Sequence, residues 1–384
     1  MNSVHLPKLL SIQAFRGFAV LLVLIFHIAE QQKAALSAMP EHDLWLLSGP
    51  WNQGYAGVDL FFVISGFIMV YVTRNMGRSP ADIGAFLYKR ATRIYPLWWI
   101  FAGIMGLYYF TAHGQWGAPA IKGLTPPAFG YFIKSLFLIP QDSFPVLGVG
   151  WSLIHEMQFY LIFAAILFAS QRLLPACLGL WAAVNVAGYF LGGQHMGPVG
   201  ALVFSLLSLE FIAGAIVALL VIRQVNIAPK AVLICGAIAS ILALIFYTGK
   251  SNGLTSWGRV AVYTLPFAAM IYGAASLEKK GELRMPRWLV TIGNWSYSLY
   301  LSHYLVLIII VRIGREAEPY LPEGLTRKFS LGAPGIWDNL VFTIVTIILS
   351  LITGALSYRL IEQPSLRIAR RLNIGATLKA NPQP

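Results

Sequence analysis

Residues 11–30 read SIQAFRGFAVLLVLIFHIAE, and this stretch decides what kind of fold the chain can have. From 12 to 29 it is a long apolar run that contains Arg16 and His27. An α-helix needs about 20 apolar residues to cross the hydrocarbon core of a membrane. The apolar part of a cleaved signal peptide is shorter, about 7–15 residues. The segment is therefore predicted to be a retained first transmembrane helix.

Similar apolar runs fill most of the chain. Hydrophobic residues make up 57% of the 384 residues and charged residues only 11%, whereas a soluble domain has roughly 25% charged residues. Many Trp and Tyr residues lie near the ends of the runs, where amphipathic rings anchor helices at the membrane interface. This composition excludes a soluble globular domain and predicts an all-α, polytopic integral membrane protein.

The runs predict about ten transmembrane helices in one domain, 1–373, followed by a disordered cytoplasmic tail, 374–384. The predicted spans are 12–31, 55–74, 92–112, 151–170, 174–192, 199–222, 231–248, 260–277, 289–312 and 336–358. The stretch 129–139 is too short to cross a bilayer at 1.5 Å per residue. It is predicted to be an interfacial or re-entrant segment, which would make an eleventh element.

The positions of the basic residues predict the orientation. With the N-terminus inside, 19 of the 28 Lys and Arg residues fall on the cytoplasmic side. This asymmetry predicts that both ends of the chain are cytoplasmic, because basic residues accumulate in cytoplasmic loops. The net charge of +13 does not indicate nucleic-acid binding. The basic residues lie in short loops and form no stripe with interleaved aromatic residues.

Several common chemistries have no support in the sequence. The two cysteines, Cys177 and Cys235, lie in apolar segments, so they indicate neither a disulfide framework nor a metal site. The chain has no phosphate-binding loop, no G-x-S-x-G motif and no H-E-x-x-H motif. ATP-driven activity, serine-hydrolase chemistry and a metal cofactor are therefore not expected.

Arg16 and His27 form the first candidate site. The two residues are 11 positions apart in the sequence. On an α-helix this is three turns plus about 20°, so both side chains lie on one face, about 16 Å apart along the axis. Arg16 is expected near the cytoplasmic end, and His27 beyond the middle of the membrane. Ionisable groups inside a membrane usually mark functional sites. The alternative for His27 is a neutral imidazole that hydrogen-bonds between helices as a packing element.

A second candidate site lies at the cytoplasmic mouth of the third predicted span. Lys89, Arg90 and Arg93 crowd there, and Tyr95 with Pro96 enters the membrane. Arg90 and Arg93 are three residues apart and are expected to be neighbours on a helix. Two interpretations stay open: a topology anchor, or a clamp for phosphate oxygens, which guanidinium groups bind bidentately.

Acids and further histidines mark the predicted outer ends of spans. Asp59 opens the second span and Glu156 the fourth, and both are expected at about the depth of His27. An acid beside an imidazole fixes its tautomer and stabilises its cation. The alternative is a favourable interaction with the helix dipole, which suits Glu156 better than Asp59. His155 and Trp151, next to Glu156, are weaker candidates for substrate binding.

Three other polar residues within or at the ends of spans carry less information. His303 and Glu210 either line a cavity or pair across helices. His303 is a weak substrate-binding candidate, and Glu210 has no assigned role. Glu362, at the cytoplasmic end of the last span, is expected to pair with an arginine of a loop.

Six segments together resemble the acyltransferase 3 family of membrane enzymes. They are Arg16 followed after ten residues by His27, GVDLFFVISGF (57–67), KRATRIYP (89–96), WSLIHEMQFY (151–160), GNWSYSLYLSH (293–303) and YRLIEQP (358–364). They occur in family order over nearly the whole chain. The first two segments most resemble members that O-acylate exopolysaccharide or other bacterial surface glycans.

The resemblance implies acyl transfer from a cytoplasmic acyl-CoA, acetyl-CoA by default, to a hydroxyl of a glycan or lipid-linked sugar at the outer face of a bacterial inner membrane. Family functional residues correspond to Arg16, His27, Arg90 and Arg93. Some members carry an additional extracytoplasmic esterase-like domain. Because this chain ends soon after its last span, such a partner is expected to be a separate extracytoplasmic or polysaccharide-assembly protein, or to be unnecessary.

A mechanism follows from combining the residues with the resemblance. The arginines, helped by Lys89 and Tyr95, would hold the phosphates of CoA at the inner mouth. His27 would act as general base on the sugar hydroxyl or carry the acyl group itself, with Asp59 or Glu156 orienting it. A proton-coupled transporter is the main alternative, although the chain shows no internal repeat of the kind that many transporters have. A glycan-binding protein without turnover is the third.

Overall fold

The structure is a computed structural model that describes residues 9–36, 52–118, 127–247, 256–317, 320 and 336–379. Within these residues the protein is entirely helical, with no β-strand. The helices are α1 (Leu10–Leu36), α2 (Ala56–Thr73), α3 (Pro80–His113), α4 (Phe129–Leu136), α5 (Trp151–Ile166), α6 (Leu174–Phe190), α7 (Gly197–Val203), α8 (Ser208–Ile222), α9 (Pro229–Phe246), α10 (Trp257–Lys279), α11 (Arg287–Asn294), α12 (Ser296–Ala317), α13 (Ile336–Ser357) and α14 (Gln363–Lys379).

Ten stretches of helix in the described part of the chain are long and apolar enough to cross a membrane. This confirms the predicted all-α architecture and the number of spans. The first span is one uninterrupted helix, α1. The cytoplasmic placement of both chain ends stays a prediction.

Helix α3 begins much earlier than the predicted span at 92. Ser79 accepts a hydrogen bond from the backbone N–H of Asp82, and the Asp82 carboxylate accepts one from the backbone N–H of Ser79. This reciprocal cap, followed by Pro80 in the first turn, starts the helix before the apolar run does. The helix has 34 residues, or about 51 Å, against a hydrocarbon core of about 30 Å. Its charged first turns can therefore extend beyond the core.

Two of the predicted spans are broken in the structure. The predicted span 199–222 consists of α7 and α8, which are separated at residues 204–207. The predicted span 289–312 consists of α11 and α12, which are separated at Trp295. Gly293 and Asn294 precede the second break, and such residues commonly end helices. The first break carries neither Gly nor Pro, so the apolar pattern continues across it.

The stretch 129–139 forms the short helix α4 of eight residues, about 12 Å long. It does not cross a membrane, as the sequence predicts. Two indole N–H groups of α3 satisfy its last carbonyls: Trp98 donates to Ser135 and Leu136 at 3.1 Å each, and Trp99 donates to Leu136 at 3.0 Å. These bonds hold α4 against α3.

The last predicted span continues beyond its expected end. After α13 the chain passes through a π-helical turn, Tyr358–Glu362, directly into α14. The tail predicted over 374–384 begins inside α14, and residues 380–384 lie outside the described part of the chain.

The chain divides into two compact units, each built from two separate segments. Unit 1 comprises Met1–Arg74 and Leu206–Thr353, and unit 2 comprises Asn75–Ser205 and Gly354–Pro384. The described helices of unit 1 are α1, α2, α8–α12 and most of α13. Those of unit 2 are α3–α7, the end of α13 and α14. The sequence predicts one domain over 1–373 and does not distinguish these units.

Helices α2 and α8 of unit 1 cross at a pair of glycines. A Cβ atom on Gly66 would lie 1.8 Å from the carbonyl oxygen of Phe211, and one on Gly214 would lie 1.8 Å from the carbonyl oxygen of Val63. Neither position has room for a methyl group, so the two backbones touch. Close approach of backbones at small residues is a main source of packing between membrane helices, where lipid removes most of the hydrophobic driving force.

A second glycine pair joins α1 to α11. A Cβ on Gly17 would lie 2.3 Å from the Leu289 carbonyl oxygen, and one on Gly293 would lie 1.7 Å from the Gln13 carbonyl oxygen. The start of α1 is also fixed, because the Glu278 carboxylate accepts hydrogen bonds from the first N–H groups of this helix at 2.6 and 2.8 Å. An acid at a helix N-terminus accepts hydrogen bonds from the free N–H groups there and interacts favourably with the helix dipole. Both contacts position the helix that carries Arg16 and His27.

Replacing Gly66 or Gly214 by alanine is expected to destabilise the protein. The added methyl group has no space at the α2/α8 crossing, and overpacking of this kind costs about 1–3 kcal/mol of the free energy of unfolding. We expect a lower Tm in detergent. Fluorescence-detected size exclusion after heating measures this Tm.

The matched control is Gly179→Ala on α6, where a Cβ would meet no atom within 4 Å. Alanine there should leave the Tm unchanged or raise it slightly, because it favours helix over glycine. A Tm for Gly66→Ala and Gly214→Ala equal to that of the control would contradict the close crossing.

Candidate active site

His27 projects from the middle of α1 in unit 1 and meets a second histidine. Its ring is partly buried. The His27 Nδ1 atom lies 3.0 Å from the carbonyl oxygen of Val23, one turn earlier on the same helix. It also lies 3.1 Å from the Nε2 atom of His303, on α12. His303 itself is fully buried, and its Nδ1 atom lies 3.0 Å from the carbonyl oxygen of Leu299.

Aromatic rings surround the two histidines. The His27 ring centroid lies 5.2 Å from that of Phe26, 5.1 Å from that of His303 and 5.5 Å from that of Tyr304. The ring of Tyr300 lies 5.9 Å from that of His303. Among the described residues, no carboxylate makes a hydrogen bond or ion pair with either imidazole.

Arg16 lies on the same helix as His27, and both side chains are partly exposed on a helix that is otherwise mostly buried from Ser11 to Ala29. Because α1 is uninterrupted, the predicted shared face and the separation of about 16 Å along the axis hold. The Arg16 guanidinium lies 3.5 Å from the Gln13 side-chain oxygen. Gln13 in turn lies at the contact with α11.

Asp59 is engaged by an arginine that the sequence analysis did not select. The Arg259 Nε and Nη2 atoms of α10 donate to the two carboxylate oxygens of Asp59, each at 2.8 Å. Both side chains are buried, with exposures of 1% for Arg259 and 0% for Asp59. No described hydrogen bond joins Asp59 to His27, and the predicted role of Asp59 in orienting His27 stays a prediction.

The ion pair has two further neighbours in unit 1. Glu210 of α8 is fully buried and interacts electrostatically with both Asp59 and Arg259. The Arg259 guanidinium lies 4.6 Å from the centre of the Tyr55 ring, a cation–π contact. Arg259 was missed because it lies one residue before the predicted span 260–277 and so did not count as a residue inside the membrane. A buried acid requires a partner, and that requirement was the available signal.

The basic cluster of unit 2 lies on α3, as the sequence predicts for Arg90 and Arg93. Lys89 is exposed and Arg90 is partly buried. The Arg90 guanidinium lies 5.6 Å from the centre of the Phe86 ring and 5.9 Å from that of Tyr160. Arg93 forms an ion pair of 2.5 Å with the buried Glu362. This confirms that Glu362 pairs with an arginine, although that arginine lies within a helix and not in a loop.

Tyr95 lies two residues beyond Arg93 on the same helix. Its hydroxyl donates to the Phe137 carbonyl at 3.1 Å, and its ring lies 5.3 Å from that of Trp99. This contact ties Tyr95 to the residue that follows α4. Its predicted contribution to cofactor binding stays a prediction.

Glu156 lies with the arginines of α3. Its carboxylate accepts a short hydrogen bond from Tyr160, and the Tyr160 hydroxyl interacts electrostatically with Glu156, Arg90 and Arg93. The sequence placed Glu156 at the opposite end of the membrane from this cluster. The structure brings them together, because α3 begins at Pro80 and not at the predicted 92, so Arg90 and Arg93 lie well inside the helix that packs beside α5.

The neighbours of Glu156 have local contacts within α5. The His155 Nδ1 atom lies 3.0 Å from the Trp151 carbonyl oxygen, and their rings meet edge to face at 5.6 Å. Both side chains are partly buried. Substrate binding by His155 and Trp151 stays a prediction. Within the part of the chain that the structure describes, no three His, Cys, Asp or Glu side chains cluster in a way that could hold a metal ion.

The fold and the buried charges define a class of protein. In the part of the chain that the structure describes, ten stretches of helix are able to cross a membrane, and an ion pair and paired histidines lie inside unit 1, so this is a multi-pass membrane protein.

Comparison with known proteins then identifies the family. The sequence model of the acyltransferase 3 family, described as an acyltransferase domain, matches residues 9–358. The chain therefore belongs to this family, as the resemblance of its motifs indicated, and it is an enzyme that transfers acyl groups.

Individual relatives cover most of the chain. The exopolysaccharide production protein ExoZ of Rhizobium meliloti is 30% identical over 85% of this chain and 93% of its own length. Acyltransferase MdmB of Streptomyces mycarofaciens is 25% identical over 97% and 95%. Peptidoglycan O-acetyltransferase OatA of Listeria monocytogenes is 25% identical over 92% of this chain but 55% of its own length. No solved structure matches the chain.

Removing the Asp59 carboxylate is expected to destabilise the protein strongly. Asp59→Ala leaves the Arg259 guanidinium buried without its counter-charge, and breaking a buried pair costs about 3–5 kcal/mol. A triple replacement, Asp59→Leu with Arg259→Met and Glu210→Gln, should recover much of that loss because no ionisable group of the cluster is left inside. Thermal unfolding in detergent measures both variants.

The control is Glu316→Gln, which breaks the exposed pair between Arg312 and Glu316 at 2.8 Å. Exposed pairs contribute about 0–1 kcal/mol, so this Tm should barely move. An Asp59→Ala variant as stable as Glu316→Gln would contradict the structural importance of the buried pair.

Proposed function

We propose that this protein is a membrane O-acyltransferase that moves an acyl group, acetyl by default, from cytoplasmic acyl-CoA to a hydroxyl of an exported or surface glycan. Membership of the family supports acyl transfer. The names of the relatives, an exopolysaccharide production protein and a peptidoglycan O-acetyltransferase, support a polysaccharide acceptor. One observation carries the proposal. The His27 imidazole lies within a transmembrane helix, at hydrogen-bonding distance from the Val23 carbonyl and from His303, and it is still partly accessible.

In the proposed reaction His27 is the general base. Its Nε2 atom takes the proton of the acceptor hydroxyl while the hydroxyl oxygen attacks the thioester carbonyl carbon. A carbon–oxygen bond forms and the carbon–sulfur bond breaks. The CoA thiolate leaves and takes up the proton from His27, which returns to its starting state.

An acyl-histidine route uses the same nitrogen. There His27 Nε2 attacks the thioester carbonyl first and the CoA thiolate leaves; the acceptor hydroxyl then takes the acyl group from Nε2, and its proton passes to the thiolate. Both routes require that Nε2 carry a free lone pair, and neither needs an orienting carboxylate on His27. Asp59 is held by Arg259, and Glu156 accepts from Tyr160.

Arg16, Arg90 and Arg93 are proposed to bind the phosphates of CoA, with contributions from Lys89 and Tyr95. Guanidinium groups suit this task because they bind phosphate oxygens in a bidentate manner. In unit 2, Lys89 is exposed and Arg90 partly exposed. Arg93 is paired with the Glu362 carboxylate, so a phosphate group would compete with Glu362 for the guanidinium group.

The proposed cellular setting is a bacterial inner membrane, with both chain ends on the cytoplasmic side. This orientation would place the basic cluster of α3 where acyl-CoA is made. A separate extracytoplasmic or polysaccharide-assembly protein is a proposed partner for presenting the glycan.

Purified protein in nanodiscs is expected to bind acetyl-CoA and to release CoA thiol slowly without acceptor, with water taking the place of the hydroxyl. Arg16→Ala and Arg90→Ala/Arg93→Ala should weaken binding at least tenfold, because each charge-assisted hydrogen bond contributes about 1.5–3 kcal/mol. His27→Ala should bind acetyl-CoA normally and release no thiol. Calorimetry measures binding, and a thiol reagent follows release.

Arg172→Ala/Arg223→Ala is the matched control, since it removes two exposed arginines outside the site. It should bind and react like the wild type. If the wild type binds no acyl-CoA of any chain length, acyl-CoA is not the donor. Normal thiol release by His27→Ala would overturn the role of His27.

A further inference from the structure

His303 meets His27 from a helix that is distant in sequence. The two residues are 276 positions apart, on α12 and α1, and the His303 Nε2 atom lies 3.1 Å from His27 Nδ1. The separation is that of a hydrogen bond between ring nitrogens. One of the two nitrogens must therefore carry a hydrogen and the other a lone pair.

Backbone carbonyls decide which nitrogen donates. The Val23 oxygen lies 3.0 Å from His27 Nδ1, and the Leu299 oxygen lies 3.0 Å from His303 Nδ1. A carbonyl oxygen only accepts, so a hydrogen on each Nδ1 atom is the arrangement that satisfies both carbonyls. A neutral imidazole has one N–H, so both Nε2 atoms have lone pairs. The His27 Nδ1–H group therefore faces two acceptors, the Val23 oxygen and His303 Nε2.

Burial separates the roles of the two rings. His303 has 0% exposure, so substrate cannot reach it. His27 is partly accessible, and its remaining nitrogen, Nε2, is the one with the free lone pair. The arrangement is a reactive imidazole with a second imidazole behind it.

We infer that His303 is a positioning residue for the acyl transfer proposed above: its Nε2 atom accepts the Nδ1–H group of His27, fixes the tautomer and ring orientation, and stabilises the imidazolium. The inference rests on the proposed function of His27. During the reaction the hydroxyl proton moves to His27 Nε2 and then to the CoA thiolate. His303 keeps its own hydrogen on Nδ1 throughout.

His303 thus takes the place of the carboxylate in a hydrolase triad, where an acid accepts the Nδ1–H of the catalytic histidine. A neutral imidazole suits this position because it brings no net charge into an apolar helix bundle. The phenol rings that contact the pair, Tyr300 and Tyr304, are uncharged side chains.

The test compares His303→Gln with His303→Asn. The amide of Gln reaches the position of His303 Nε2 and can accept from His27, whereas Asn is shorter and reaches only the position of Nδ1. With acetyl-CoA as the probe, His303→Asn is expected to lose about 100-fold or more in kcat for thiol release, with KM unchanged within about twofold. His303→Gln should stay within about tenfold of the wild type.

Solid-state NMR of protein with ¹⁵N-labelled histidine in lipid measures the tautomer of His27, which a role of His303 in packing alone would not change. The His27 signal, assigned by its loss in His27→Ala, should report the Nδ1–H tautomer in the wild type and in His303→Gln. In His303→Asn it should report a larger share of the Nε2–H tautomer, because the Nδ1–H group then has only the Val23 carbonyl as acceptor. Size exclusion and acetyl-CoA binding check that both variants are folded.

The outcomes separate the inference from the proposed function. If His27→Ala is inactive while His303→Asn keeps the kcat and tautomer of the wild type, the role of His303 is wrong and that of His27 stands. Equal loss in His303→Asn and His303→Gln with an unchanged tautomer also overturns it, since His303 then serves only packing. Activity in His27→Ala overturns the proposed base itself.

Discussion

The packing of unit 1 depends on the ion pair between Asp59 and Arg259, because a helical bundle in lipid has no water to solvate an unpaired charge. Its two hydrogen bonds of 2.8 Å join α2 to α10, and Glu210 brings α8 to the same place. The glycine crossing of α2 and α8 permits this approach, since larger residues would keep the backbones apart. Charge pairing therefore joins α2, α8 and α10, and close backbone packing joins two of these three helices, α2 and α8.

The candidate catalytic histidine depends on this framework through α1. A Cβ on Gly57 of α2 would lie 2.3 Å from the Ala19 carbonyl oxygen, so α1 packs directly on α2. Farther along α1, His27 meets His303 of α12. The imidazole is thus held by a backbone carbonyl and a buried partner, and one nitrogen is left for chemistry. Rigid supporting contacts of this kind keep a reactive group in a productive geometry.

The sequence predicted those features that depend on composition and local periodicity. Ten spans followed from hydropathy, and the face shared by Arg16 and His27 followed from the pitch of a helix. The partners of Asp59 and His27 did not follow, because they lie 200 and 276 residues away and such contacts leave no local pattern. The proximity of Glu156 to the arginines of α3 was missed for a related reason, since an apolar run shows where a span lies but not what packs beside it.

A cryo-EM structure of the protein in nanodiscs with a non-hydrolysable acetyl-CoA analogue tests the role of His27 most directly. We expect the acetyl carbonyl carbon about 3–4 Å from His27 Nε2, the separation of a reactive complex, with His303 still on the Nδ1 side of the ring. An analogue bound with its acetyl group away from His27, in a protein whose His27–His303 contact is intact, would contradict the assignment of this imidazole to acyl transfer.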